Sequence, residues 1–89
     1  MNPERWEKLT KREQLLNIGA EFMRAKVWQG KDKEKFLLAL EISLELIDLT
    51  LGDPKWKNGI LALSRLRDET AKFYAFERTD DIFFLYAVL

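Results

Sequence analysis

Four carboxylates in this 89-residue chain have the residue type and the spacing that chemistry would need. Glu34, Glu41, Glu45 and Asp48 fall within roughly 60° of one another on a helical wheel, and we call them the acidic strip. The last three follow the i, i+4, i+7 spacing that places side chains on one face of a helix. Because Mg²⁺ and Mn²⁺ prefer carboxylate oxygens as ligands, Glu41, Glu45 and Asp48 are the candidate metal ligands of the sequence.

The residues that the chain lacks limit what the acidic strip can do. The chain has no histidine and no cysteine, so the Glu-x-x-His pairs of di-iron bundles are excluded. An all-oxygen site would need a further carboxylate from another helix, which Glu21 or Glu69 could supply. The alternative is a strip that is solvated or paired with arginines. The charge distribution favours this alternative, because residues 36–54 hold four acids and no base while residues 1–35 hold nine bases and six acids. We therefore expect no metal and no other cofactor.

The same acids could instead form ion pairs between helices. We predict one charge network that fixes the register of three helices at little net gain in stability, because desolvation offsets the attraction within a buried ion pair. Its six members are Glu21, Arg24, Glu45, Asp48, Arg65 and Arg67.

Other chemistries lack the residues that they require. Ser43 and Ser64 have no histidine to activate them, and the four glycines are isolated rather than gathered in a phosphate-binding loop. The 15 basic and 15 acidic residues cancel, so no net charge draws nucleic acid to the chain. We predict no catalytic residue and no nucleic-acid partner, and the sequence favours a binding protein over an enzyme.

Helical periodicity runs through the chain, and capping residues divide it into elements. Thr10 and Glu13 have the capping-box spacing of a first helix that extends to Trp28, and Asn2 before Pro3 could cap an earlier turn. The predicted core face of the first helix consists of Leu15, Leu16, Ile18, Phe22, Met23, Ala25 and Val27.

The second helix, from Asp32 as N-cap to Gly52, is apolar over most of its circumference. Such a helix must be covered on more than one side, so we expect it at the centre of the fold. Ala39, Ser43 and Thr50 lie opposite the acidic strip and are small enough to let another backbone approach closely. The apolar residues expected to be covered include Leu38, Ile42, Leu46 and Leu49.

The third helix has Asp53 as its N-cap and Pro54 in its first turn, and we expect it to extend to about Glu77. Asn58 and Gly59 mark the point where it could break, because glycine in a helix interior costs about 1 kcal/mol. A short fourth helix is expected from about residue 81 onward.

Eight consecutive apolar residues, 82–89, end the chain. Ordering ten residues costs roughly 15 kcal/mol, and burying the apolar side chains returns roughly 12 kcal/mol, so this tail must be covered on two sides. One small chain of amphipathic helices supplies one groove, which favours a homodimer with the tail at the contact. The expected contact residues are Trp28, Leu61, Phe76, Ile82, Phe83, Phe84, Leu85 and Tyr86. The alternative is a monomer whose tail closes the open end of the bundle.

Three stretches, NIGAEFMRA, LALEISLELIDLTLGDPKW and LSRLRDE, carry a resemblance to known proteins. Their pattern of Glu-x-x-Arg-Ala, Leu-Ile-Asp-Leu-Thr, Asp-Pro and Arg-x-Arg resembles that of a family of small uncharacterised prokaryotic all-helical proteins. The resemblance implies the fold and no activity. The first two helices are also faintly similar to HEPN-type bundles, which often act beside nucleotidyltransferases in toxin and antitoxin pairs. Since their ribonuclease motif contains a histidine that this chain lacks, only a role as a bundle and dimer carries over.

The sequence as a whole predicts one all-α domain over residues 1–89, a small antiparallel bundle of three main helices and a short C-terminal helix. We expect a cytoplasmic homodimer that acts as a protein-interaction or accessory subunit, possessing neither a signal peptide nor a membrane span. The alternatives are a metal-dependent or nucleotide-related enzyme that uses the acidic strip, and an antitoxin-type partner of a nucleotidyltransferase.

Overall fold

Five α-helices and one 3₁₀ helix make up the fold, and no strand is present. The computed structural model describes all residues from 1 to 89. The elements are α1 (Pro3–Glu7), α2 (Lys11–Trp28), α3 (Lys33–Leu51), the 3₁₀ helix (Pro54–Gly59), α4 (Ile60–Tyr74) and α5 (Phe83–Ala87). The prediction of an all-α bundle with three main helices and a short C-terminal helix is confirmed. None of these helices combines the length and the apolar composition that crossing a bilayer requires.

Side-chain caps fix the starts of the N-terminal helices where the sequence predicts them. Thr10 Oγ1 accepts a hydrogen bond from the Glu13 N–H at 3.1 Å, and a carboxylate oxygen of Glu13 accepts one from the Thr10 N–H at 2.9 Å. This reciprocal pair is a capping box. Asp32 caps α3 by accepting from the Lys35 N–H at 3.1 Å, and Asn2 caps α1. These local bonds explain why α2 and α3 begin as predicted.

The predicted third helix is divided at Gly59 into the 3₁₀ helix and α4. The ring of Trp56 lies against this glycine, and a Cβ added at Gly59 would be 3.1 Å from Trp56 Cε3. The glycine thus provides the space that the indole ring occupies.

Phe76 ends α4 by adopting the left-handed conformation, with φ at 57°. The Phe76 N–H donates to the Phe73 carbonyl at 3.2 Å, and the Glu77 N–H donates to the Lys72 carbonyl at 2.9 Å. These two bonds form a Schellman motif, whose left-handed position is usually glycine. Phenylalanine in this conformation costs about 1–2 kcal/mol. The expected end near Glu77 is therefore too late, because no glycine marks the true end at Tyr74.

Helix α3 is central, because α1, α2, the 3₁₀ helix and α4 all pack against it. Ala39, Ser43 and Thr50 are buried, as expected for a side of α3 that other backbones approach closely. Ser43 Oγ donates to the Ala39 carbonyl at 2.8 Å, which satisfies the buried hydroxyl within the helix. The largest apolar side chains of the core are Trp6, Ile18, Phe22, Phe36, Leu40, Ile47, Phe73, Ile82 and Leu85.

The cover over α3 is incomplete on its outer side. Leu46 is buried and Ile42 and Leu49 are half-buried, but Leu38 is 56% exposed. The expectation that all four would be covered is therefore wrong at Leu38. One chain covers most of α3 and leaves more than half of this residue exposed.

The buried face of α2 is narrower than the sequence predicts. Leu16, Met23 and Val27 were expected in the core, but they are 58%, 40% and 52% exposed. The buried side of α2 is centred on Ile18 and Phe22, and polar residues complete it. Leu16, Met23 and Val27 lie on the other side of the helix, which the chain does not cover.

Candidate interaction surface

The acidic strip does not form a metal site. A Glu41 carboxylate oxygen accepts a hydrogen bond from Tyr74 Oη at 2.7 Å, and a Glu45 carboxylate oxygen lies 3.4 Å from the N-terminal amine. Asp48 pairs with Arg67, with 2.5 Å between Nε and Oδ1. No group of three or more acidic, histidine or cysteine side chains in the structure converges enough to hold a metal ion. Each candidate ligand therefore has a separate partner.

The predicted charge network is not formed as one unit, and this expectation is corrected. Glu21 pairs with Arg24 within α2 at 2.8 Å, while Asp48 and Arg67 join α3 to α4. Arg65 belongs to no ion pair. These are separate contacts, and only the pair of Asp48 and Arg67 fixes two of the predicted helices relative to each other.

A buried polar cluster near α1 was not predicted. Gln14 is fully buried, and its Nε2 donates to the Trp6 carbonyl at 3.0 Å and to Asp53 Oδ2 at 2.8 Å. Trp56 Nε1 donates to Gln14 Oε1 at 2.6 Å, and Trp6 Nε1 donates to Thr50 Oγ1 at 3.0 Å. No buried side-chain polar atom in the structure lacks a partner. The cluster therefore joins four elements as a structural unit.

Asp53 contributes the carboxyl group of this polar cluster. Although burial opposes ionisation, hydrogen bonds from Lys55 and Gln14 hold the pKa of Asp53 below its usual value. Lys55 Nζ also donates to the Glu7 carbonyl at 2.9 Å. The only sequence signal for the cluster is a glutamine on the same helical face as Ile18, and its partners come from distant parts of the chain.

The expected contact residues do not form one surface. Ile82 and Leu85 are 0% and 1% exposed within this single chain, which removes them from the expected contact. Leu61 and Phe76 lie at opposite ends of α4, about 20 Å apart at 1.5 Å per residue. Trp28 is half-buried, with Lys35 Nζ 4.1 Å from its ring centroid.

The rest of the tail remains at the surface. Phe83, Phe84 and Tyr86 are 41%, 53% and 40% exposed. Of residues 82–89, only Ile82 and Leu85 are buried by the chain itself, and the other six are exposed. The position of these exposed residues depends on how α5 is attached.

Polar contacts hold the start of α5 against α2. Gln29 Nε2 donates to the Asp80 carbonyl at 2.7 Å, and Gln29 Oε1 accepts from the Ile82 N–H at 2.8 Å. Lys26 Nζ lies 2.6 Å from Asp81 Oδ2, and this hydrogen bond holds the pKa of Asp81 below its usual value. These contacts fix α5 along one edge of α2.

At its other end, α5 approaches the backbone of α2 at Gly19. A Cβ added to Gly19 would be 3.1 Å from both Leu89 Cδ1 and Tyr86 Cε2. Because glycine has no side chain, Tyr86 can lie directly on α2. The ring of Phe83 stacks on that of Tyr86, with their centroids 5.4 Å apart.

An exposed apolar surface results where α5 lies beside α2. We call it the α2–α5 surface, and it consists of Leu16, Ala20, Met23, Val27, Phe83 and Tyr86. Leu16 and Tyr86 line one depression of about 550 Å³, which shows that the two helices contribute to a continuous surface. Its exposed apolar area is roughly 500 Å², at the upper end of what monomers leave uncovered. The largest apolar patch of a monomer has about this size and is often a functional surface.

Comparisons with known proteins supply no template for this surface. Its assignment rests on exposure, spacing and contacts within the chain. No protein-family model, no curated protein and no solved structure matches the chain.

Proposed function

We propose that this protein is a cytoplasmic, non-catalytic protein-interaction or accessory subunit that acts as a homodimer. The observation that carries the proposal is the α2–α5 surface, where large apolar side chains of two helices are 40–58% exposed. Burying apolar surface is the main driving force for association. A second copy that covered this surface would remove these side chains from water.

The size of the surface agrees with a modest dimer interface. Two copies would together bury roughly 1,000 Å² of apolar area, and a polar rim adds to this area. The total then approaches the roughly 1,200–2,000 Å² that specific interfaces bury. The flanking charged side chains, Arg12 and Arg24 on α2, are exposed and supply such a rim.

The polar side chains support binding rather than catalysis. Glu41, Glu45 and Asp48 each have their own partner, and Ser43 donates to its own helix. Gln14, which is buried and takes part in three side-chain hydrogen bonds, is fully committed to structural contacts. Outside these contacts, charged side chains gather around Arg78, where Glu69, Lys72 and Asp80 are paired within the group.

The test is the mass in solution of a matched pair of variants. Leu16→Glu places a charge on the α2–α5 surface, and Leu38→Glu places the same charge on α3 at nearly equal exposure, 58% against 56%. Light scattering should give twice the 10.6 kDa chain mass for the unchanged protein and for Leu38→Glu. Leu16→Glu should shift to the monomer mass while its circular dichroism stays helical. A monomeric unchanged protein at high concentration contradicts the proposal.

A further inference from the structure

We infer that α2 pairs antiparallel with α2 of a second copy across a two-fold axis, so that Leu16 of one copy lies beside Val27 of the other. This inference rests on the proposed homodimer and specifies its geometry. It follows from the spacing of four exposed residues, from the difference between the two edges of α2, and from the sizes of the side chains that would meet.

The exposed apolar residues of α2 form a seam for another helix. Leu16, Ala20, Met23 and Val27 follow one another at intervals of four, three and four residues, which is the spacing of a helix-pairing seam. They lie within roughly 60° on the helical wheel and opposite the buried face around Ile18. The seam spans about 16 Å of an 18-residue helix.

The two edges of this seam differ in chemistry. One edge carries Gly19 and Lys26, and α5 lies along it through the contact with Tyr86 and the ion pair with Asp81. The other edge carries exposed polar residues, Glu13, Asn17 and Arg24. A partner helix therefore meets α5, with the exposed rings of Phe83 and Tyr86, on one side and the polar side chains of α2 on the other.

The orientation of the partner decides which edges meet. In an antiparallel pair each edge faces the same edge of the other copy, whereas in a parallel pair each edge faces the opposite one. The antiparallel pair thus brings α5 beside α5, with Phe83 near Tyr86 of the second copy. The parallel pair would place these aromatic rings against Asn17 and Arg24. Burial of aromatic surface and the opposed helix dipoles both favour the antiparallel pair.

Side-chain sizes also agree with the antiparallel pair. A two-fold axis between Ala20 and Met23 places the small residue opposite the large one, and Leu16 opposite Val27. A parallel pair in register would set Ala20 against Ala20 and leave a gap beside two crowded methionines. Interiors pack without such gaps, so the alternation of sizes favours the same geometry.

Disulfide formation tests the geometry, because the chain contains no cysteine that could interfere. The double variant Leu16→Cys/Val27→Cys should form a dimer under oxidising conditions, seen at twice the chain mass on a non-reducing gel. Each single variant should stay monomeric on that gel, because identical positions lie about 16 Å apart in the antiparallel pair and a disulfide needs Cα atoms within about 7 Å. Leu38→Cys, on the outer side of α3, measures the background from collisions.

Three results would overturn the inference. Linkage of the single variants well above the Leu38→Cys background would indicate a parallel pair. A double variant that fails to link, although light scattering shows it to be dimeric, would place the contact on another surface and leave the proposed homodimer intact. A monomeric double variant and a monomeric unchanged protein would remove both proposals together.

Discussion

Replacing Gln14 by leucine should strongly destabilise the fold, although the two side chains are similar in size. Gln14 is fully buried and accepts from Trp56 while donating to the Trp6 carbonyl and to Asp53. Leucine can make none of these bonds. The indole N–H of Trp56 then has no partner in the structure, and Asp53 keeps only its bonds to Lys55.

The expected loss can be worked from these contacts. Two hydrogen bonds between neutral groups contribute about 1 kcal/mol each, and the bond to the carboxylate contributes about 2 kcal/mol. Leucine returns about 1 kcal/mol through apolar burial. The net loss is therefore about 3 kcal/mol, and in a domain of this size each kcal/mol lowers the melting temperature by about 4–8 °C.

Thermal and urea unfolding followed by circular dichroism measure this loss. Asn17→Leu is the matched control, because it lies one turn further along α2 and its side chain is exposed. We expect a decrease of about 12–24 °C for Gln14→Leu and little change for the control. A decrease of only a few degrees for Gln14→Leu would refute the view that the polar cluster stabilises the junction of α1, α2 and the 3₁₀ helix.

Three further predictions concern the tail and the acidic strip. Because the pKa of Asp81 is lowered in the fold, its pair with Lys26 stabilises the native state at pH values above the usual 3.8, and this contribution disappears as the pH falls through the lower native value. An acid titration of stability should therefore show a smaller loss below about pH 4 for Lys26→Met than for the unchanged protein, and equal losses would contradict the pair. Gly19→Val should displace Tyr86 and cost about 2 kcal/mol in urea unfolding, whereas Asn17→Val should cost less than 1 kcal/mol. Mg²⁺ or Mn²⁺ should leave the melting temperature unchanged, because the candidate ligands Glu41, Glu45 and Asp48 have separate partners, and a clear rise would indicate a metal site.

The helix boundaries that depend on nearby residues could be predicted from the sequence. Thr10 and Asp32 cap α2 and α3 through bonds to residues three positions away, so the pattern contains all the necessary information. The end of α4 could not be predicted in this way. Phe76 takes a position that usually belongs to glycine, and only the packing of the folded chain makes it do so.

The candidate surface was predicted only in part. The apolar tail indicated that α5 contributes exposed residues, and Phe83 and Tyr86 are exposed. The α2 half was missed because Leu16, Met23 and Val27 were counted with the core. A broad apolar face does not reveal which of its sides the chain covers, but the four-three-four spacing of Leu16, Ala20, Met23 and Val27 is a usable signal of a separate seam. The resemblance to small prokaryotic helical proteins stays a prediction.

The attachment of α1 has a consequence for how the domain opens. Trp6 is the one buried residue of this five-residue helix, which is too short to persist alone. Withdrawal of this indole ring, together with loss of the hydrogen bonds from Gln14 and Lys55 to the carbonyls of α1, would release the N-terminal segment and admit water to Thr50 and Gln14 at once. We expect such a release to be an early, reversible step that leaves the remaining helices packed, so that a shift of tryptophan fluorescence to longer wavelength precedes the loss of helical signal.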